Sequence, residues 1–506
     1  MIACASLVEN SSVKGKCSMN RREFLQQSAL ATPFALSSLR VSAFSQRKLE
    51  RKGAAKKVII VGAGLAGLSA AYELTSAGHD VTVLEAQTRA GGRVFTLRAP
   101  FSDGLYAEAG AMFIPDTHDL TLHYVKEFNL PLDPRITPNL SYVRYVRGKR
   151  FVLSEGARVE PLFNLTPEEQ RLGEHGLWQK CEPESVYQEL GAPADPNWSV
   201  EAVKKYDGIS YIDFLRRDGL SEEAASLMTF GWGDIWGEGL ASVSALTVLR
   251  DELHYRNSEK EYKIRGGNDL LPKAFAARLS DKIRYGSPVV KVEHDARLVR
   301  VTFLQAGTHQ SIEADRLVLA IPFSVLRRVE VSPRFSPEKQ RAVNELPYFS
   351  AARVSLQSRK RFWVAAGLNG FGRTDLPIAN LFDMTSNQPG QRGVLQTYLG
   401  GARARQVAAM KEDERISFVL EQTEKVFPGI RENFEGGVSK CWDEDEWARG
   451  ASSWYRPGQM GELWPHIARS EGRVHFAGDH TSAWIRWMQG ALHSGNRVAR
   501  EVNDAV

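Results

Sequence analysis

Three glycines, Gly62, Gly64 and Gly67, stand in G-x-G-x-x-G spacing directly after the apolar run Val58-Ile59-Ile60-Val61. An acid, Glu85, follows 23 positions after the first of them, with Ala86 beside it. The chemistry served by this spacing is dinucleotide binding. The first glycine allows a tight turn, the second lets the backbone approach a pyrophosphate, and the third lets a helix pack closely on a strand. Leu65 and Ala66 then open that helix, whose unpaired N–H groups face the phosphates. A carboxylate at Glu85 accepts hydrogen bonds from a ribose and repels a 2′-phosphate, which disfavours NADP.

For these groups to meet, residues 58–61 must form a strand, 65–77 a helix closed by Gly78, and 81–84 a second strand, a complete βαβ unit. At the other end of the chain, residues 473–477 read as a short strand that leads through Gly478 and Asp479. A helix then begins near Trp487, with Met488, Ala491, Leu492, Gly495, Val498, Ala499 and Val502 at helical spacing. The partial positive charge at its N-terminus suits a place where negative charge develops during a reaction.

Arg89, Gly91, Gly92 and Arg93, followed by Glu108, Ala109, Gly110, Ala111 and Met112, resemble the second glycine signature of the flavin amine oxidase family. Phe476-Ala477-Gly478-Asp479-His480-Thr481-Ser482 with Trp487-Met488-Gln489-Gly490-Ala491 resembles the carboxy-terminal signature of flavin monoamine oxidases and L-amino acid oxidases. Blocks at 264–269, 288–292, 317–322, 370–376, 393–398 and 447–458 extend the resemblance over nearly all of the chain beyond its leader. The fold so implied is α/β, mixed with α+β features. A Rossmann-like FAD-binding domain is assembled from three segments, 55–112, 259–325 and 441–506, beside a mixed sheet-and-helix substrate domain from 113–258 and 326–440. The same resemblance implies FAD contacts along the glycine turn, Glu85 and Ala86, at Arg89, Gly92 and Arg93, and at Gly110, Ala111 and Met112. It places the backbone of Val289 at adenine, Gly478 and Asp479 at the ribityl or diphosphate portion, the N–H of Met488 at the flavin ring, and Trp487 as an aromatic wall beside the substrate.

The implied reaction moves a hydride from a carbon bearing nitrogen to flavin N5, leaves an imine that water hydrolyses, and passes electrons to O2 to give hydrogen peroxide. Two positions depart from the family pattern. Phe113 stands where amino acid oxidases carry an arginine for the substrate carboxylate, and Arg353 where many relatives carry a lysine bound through water to N5. A guanidinium is too basic to act as a base, yet it can hold a water, polarise oxygen or pair with a buried carboxylate. An unpaired buried carboxylate is costly, so an amino acid substrate needs another cation, for which Arg486 and Arg353 are the candidates. An uncharged-tail amine therefore ranks narrowly above an amino acid. Gly450 and Ala451 occupy the place where some relatives bond the flavin through cysteine, so FAD is expected to be non-covalent, and Ala451 removes one wall of the aromatic cage of monoamine oxidases. Alternatives on the same fold are an L-amino acid oxidase, a decarboxylating monooxygenase, and a desaturase of C–C bonds, against which the carboxy-terminal block argues. A flavin-bearing binding protein without turnover is the alternative from another class.

The chain has 506 residues, is 43% hydrophobic and carries a net charge of only +5, without a basic run that would grip nucleic acid. A small molecule is the expected partner, with O2. Neither H-E-x-x-H nor G-x-S-x-G is present, and two of the four cysteines, Cys181 and Cys441, stand too far apart in sequence to suggest a disulfide framework or a metal site. Asn20-Arg21-Arg22-Glu23-Phe24-Leu25, the weakly apolar stretch 30–39 and the small residues Val41-Ser42-Ala43 resemble a twin-arginine signal within residues 1–45. Translation is expected to begin at Met19. Export by the twin-arginine machinery to the periplasm or exterior as a soluble protein is expected in consequence. A homodimer is compatible with the sequence, which does not fix the oligomeric state.

Overall fold

The computed structural model describes residues 48–135, 138–154, 157–191, 200–217, 219–231 and 233–505; the expected export signal lies outside them. In chain order, the strands that position the site are β1 (Lys57–Val61), β2 (Asp80–Leu84), β3 (Ile283–Arg284), β4 (Arg316–Leu319), β5 (Ala351–Ser358), β6 (Gly393–Gly400) and β7 (Val474–Phe476). The helices are α1 (Leu65–Ser76), α2 (Ala245–Tyr255) and α3 (Met488–Asp504).

After exposed Lys57, all four remaining residues of β1 are buried apolar side chains. Such an unbroken apolar run, rather than an alternating one, marks a strand covered on both faces. It lies centrally in a five-stranded sheet of order β3-β2-β1-β4-β7 with every pairing parallel. The sheet is thus assembled from separated parts of the chain. Helix α1 leaves the carboxyl end of β1, and α3 follows the carboxyl end of β7, so both helices start at the same edge of the sheet. They cross in close contact: a Cβ at Gly495 would collide with the Ser69 hydroxyl and the Ala66 carbonyl oxygen. The carboxyl edge of a parallel sheet is where such folds take their ligands.

A seven-stranded sheet forms the other half, with β5 paired antiparallel to β6 and to the strand Phe434–Cys441. All eight residues of β5 are buried. A four-stranded sheet spans 289–332, and its strand Glu330–Ser332 pairs in parallel with Val289–His294. In α2 every residue but Glu252 is buried, including the charged Arg250 and Asp251. Among the described residues no helix is long and apolar enough to cross a membrane.

Candidate active site

An elongated cavity with about 1780 Å³ of empty space, counted out through its mouth, joins the carboxyl edge of the parallel sheet to β5 and β6. At its sheet end the turn after β1 is shaped by Gly62, whose φ is +101° and where a Cβ would come within 2.9 Å of the Ala320 carbonyl oxygen. A Cβ at Gly64 would meet no atom, because that position faces open space, whereas one at Gly67 would collide with the Gly62 carbonyl oxygen. Neither α1, capped by Gly64, nor α3, capped by Trp487, has a side chain bonded to its first N–H groups. Uncapped donors at two helix N-termini on one cavity make a receptor for anionic and electron-rich groups.

Glu85 ends β2 on the same wall, 6% exposed. Its carboxylate accepts the N–H of Ala63 at 2.6 Å and of Gln87 at 2.8 Å. Burial raises its pKa, and those two donors oppose the shift. Each oxygen retains a lone pair for a ribose hydroxyl. Farther along, Arg93 pairs with Asp479 and also donates to the Ala451 carbonyl at 2.8 Å. Burial, the largest single influence, would raise Asp479, but Arg93, His480 and the Arg486 N–H together hold the carboxyl below the usual range. Asp479 also accepts the backbone N–H of Arg486 at 3.1 Å, which ties the strand end to the start of α3.

Most sequence-predicted cofactor residues line this cavity: Gly62, Gly64, Leu65, Ala66, Glu85, Ala86, Gly92, Arg93, Gly110, Ala111, Met112, Val289, Gly478, Asp479, Trp487 and Met488. Two stand behind the wall. Gly67 serves the packing of α1 against the turn, and Arg89 lies 4.4 Å over the Phe95 ring and donates to the Gly92 carbonyl at 2.9 Å, so it braces the loop from outside. The set fits FAD: a glycine turn and helix start for the pyrophosphate, an acid for the ribose, and a second helix start for the ring.

The other end of the cavity brings together Phe113, Arg353, Arg486 and Trp487, although they are far apart in the chain. Phe113 is contacted by two cations, with Arg135 4.3 Å and Lys263 5.2 Å from its ring centroid, and neither cation lines the cavity. Arg353, 5% exposed on β5, stands opposite Tyr398 of β6 and stacks 3.7 Å from that ring. Burial draws its pKa down to about 10. It makes no ion pair among the described residues, and its Nη1 has no partner. The expectation that it pairs with a buried carboxylate is thus not met; it rests on an aromatic face. Arg486 lies 4.1 Å over the Trp236 ring and also has an unpartnered Nη1.

Sequence reading did not single out Tyr398, Trp442 or Asp251, all of which line the cavity. Trp442 is fixed by an indole N–H bond to the Ala109 carbonyl at 2.9 Å, and Asp251 accepts the indole N–H of Trp487 at 2.9 Å. Nothing in the sequence marks Asp251, which stands beside Arg250 and Glu252 on a helix of mixed composition. Among the described residues no grouping of His, Cys, Asp or Glu could hold a metal ion.

Comparison with known proteins bears on this geometry. The sequence profile described as flavin containing amine oxidoreductase matches residues 65–503. A Bacillus subtilis protein provisionally named an L-amino-acid oxidase, YobN, is 36% identical over 88% of this chain and 95% of its own. The L-amino-acid oxidase of Demansia vestigiata is 30% identical over 89% of this chain and 87% of its own. In fold the chain is similar to cyclohexylamine oxidase from Brevibacterium oxydans IH-35A, with a TM-score of 0.77 and 23% identity over 89% of this chain and 99% of that one.

Proposed function

This chain belongs to the flavin-containing amine oxidoreductases, and from that premise we propose that the primary amine it oxidises is the α-amino group of an L-amino acid. As a member of that family it is an FAD-dependent oxidoreductase acting on CH–NH2 groups. The observation that carries the finer assignment is the pair of buried guanidiniums, Arg353 and Arg486, each with an unpartnered N–H in the wall of one cavity. A buried cation without a counter-ion is costly, and a substrate carboxylate supplies that counter-ion. An amine with an uncharged tail leaves both unpaired. The names of the sequence relatives point the same way.

Bound FAD would supply a hydride acceptor for the α-carbon and a route for the electrons to O2, giving hydrogen peroxide. The protein's part is placement. Arg353 and Arg486 hold the carboxylate, while the Trp487 indole, fixed by Asp251, and the Phe113 and Tyr398 rings shape a water-poor wall around the α-carbon. Among the described residues no lysine or histidine lines the cavity, so the ammonium proton leaves to solvent before the hydride moves. Uncapped α3 would offer its N-terminal N–H groups and partial positive charge to an electron-rich part of a bound flavin.

FAD is held without a covalent bond in this reading. Gly450, at the position of the cysteine linkage in some relatives, has a φ of +124° and a Cβ there would lie 2.8 Å from Cβ of Tyr348. Acid precipitation then leaves the yellow colour in the supernatant. Residues 20–25 support export through the twin-arginine pathway, which fractionation of the native host tests: the enzyme in the cytosol would contradict it. The substrate assignment is tested by peroxide release from L-phenylalanine, phenylethylamine and putrescine. Faster release from phenylethylamine than from L-phenylalanine would overturn it.

A further inference from the structure

Asp251 carries more than the anchoring of an indole requires. It sits on α2, 5% exposed, and lines the cavity together with Arg353 and Arg486. One oxygen accepts the Trp487 indole N–H; the other, Oδ2, has no partner. A neutral carbonyl would anchor the indole equally well, so this hydrogen bond does not explain the negative charge. Nor does an ion pair explain it: Arg486, the cation that acts on Asp251, lies on Trp236 and donates to the Ile235 carbonyl at 3.4 Å. Burial raises the pKa of Asp251 and Arg486 only partly opposes it, so a further cation at Oδ2 would favour the ionised carboxylate.

We infer that Asp251 receives a second, cationic group of the substrate, and that the preferred substrates are amino acids with a basic side chain, ammonium or guanidinium. This rests on the amino acid reading above, with the carboxylate at the arginines and the side-chain cation at Asp251. A substrate charged at both ends then neutralises both the unpaired guanidiniums and the unpaired carboxylate of one cavity. Apolar amino acids would leave Asp251 unpaired, and simple amines would leave the arginines unpaired.

The test uses the FAD-loaded enzyme with L-lysine, L-arginine and L-norleucine, the last having the lysine chain without its terminal ammonium. The wild type is expected to favour L-lysine or L-arginine over L-norleucine in kcat/KM. Asp251→Asn keeps an oxygen for the Trp487 indole and removes only the charge. It is expected to cut the preference about 30-fold or more, chiefly through KM for the basic substrates. Equal preference in the wild type, or a ratio that Asp251→Asn leaves unmoved, would overturn the proposal. Putrescine and phenylethylamine separate the two layers. If putrescine loses activity in Asp251→Asn while phenylethylamine outpaces L-phenylalanine in the wild type, Asp251 recognises a cation and the carboxylate assignment alone has failed.

Discussion

Replacing Arg353 by methionine removes the guanidinium while keeping an unbranched side chain against Tyr398, from which the native group lies 3.7 Å. In the free enzyme that charge is disfavoured: burial lowers its pKa from the usual arginine range to about 10, which corresponds to about 3 kcal/mol. A substrate carboxylate repays this cost on binding. Truncating one partner of a buried, hydrogen-bonded charge pair costs roughly 2–5 kcal/mol, or about 30-fold to several thousand-fold in kcat/KM. The assay is peroxide release from L-phenylalanine and phenylethylamine with each variant, read as the ratio of their kcat/KM values. That ratio should fall at least about 30-fold, with most of the loss in KM. Because an unpaired buried charge is removed, the melting temperature should hold or rise. A parallel loss on both substrates, or an unmoved ratio, would refute a carboxylate-binding role for Arg353.

Three further outcomes follow from the same structure. Glu85→Ala removes the acceptor of the Ala63 and Gln87 N–H groups and the group that would meet the ribose; FAD affinity should drop about 100-fold or more, at two charge-assisted bonds of about 1.5–3 kcal/mol each, and fluorescence titration with native-like affinity would contradict it. With no lysine or histidine on the cavity wall, kcat/KM should climb with pH toward the pKa of the substrate's amine, and a flat profile from neutral pH to about 10 would count against unassisted loss of the proton. Burial depresses His118 and His480 to about 3 and His493 to about 4, so their contribution is present above the unfolded value of about 6.5 and is lost as pH falls toward the folded values. NMR titration of the three imidazoles in the folded protein checks this, and rings that take up their proton at about pH 6.5 would contradict it.

The nucleotide end was legible in the sequence because its residues answer to stereochemistry that tolerates few alternatives. Gly62 and Gly67 each meet a separate steric demand, Gly64 leaves open space in the cavity, and Glu85 and the start of α3 fall where the spacing put them. Element ends moved by a residue: the helix expected over 65–77 runs Leu65–Ser76, with Ala77 as its cap. Glu330–Ser332 is a short strand with two exposed residues and hence almost no hydrophobic pattern to read. Arg89 lies on the Phe95 ring and off the cavity wall, and rotamer direction is not written in spacing. The substrate end was least legible, since its members meet through tertiary structure alone. Arg353 finds Tyr398 through the register of two strands separated by 45 positions, and Trp487 finds Asp251 across 236. Phe113 made a simple amine the marginally better expectation. The unpartnered guanidiniums that favour an amino acid became visible only once burial and partners could be assigned.

The central claim is that the cavity binds FAD and that an amino acid placed beside it by Arg353 and Arg486 reduces that FAD. Anaerobic mixing of the purified yellow enzyme with L-lysine and L-phenylalanine, followed at the visible flavin band, tests it directly. The account predicts bleaching by the amino acids, and recovery of the band on admitting O2 with one peroxide released per FAD. A band that every amino acid leaves unchanged would contradict it.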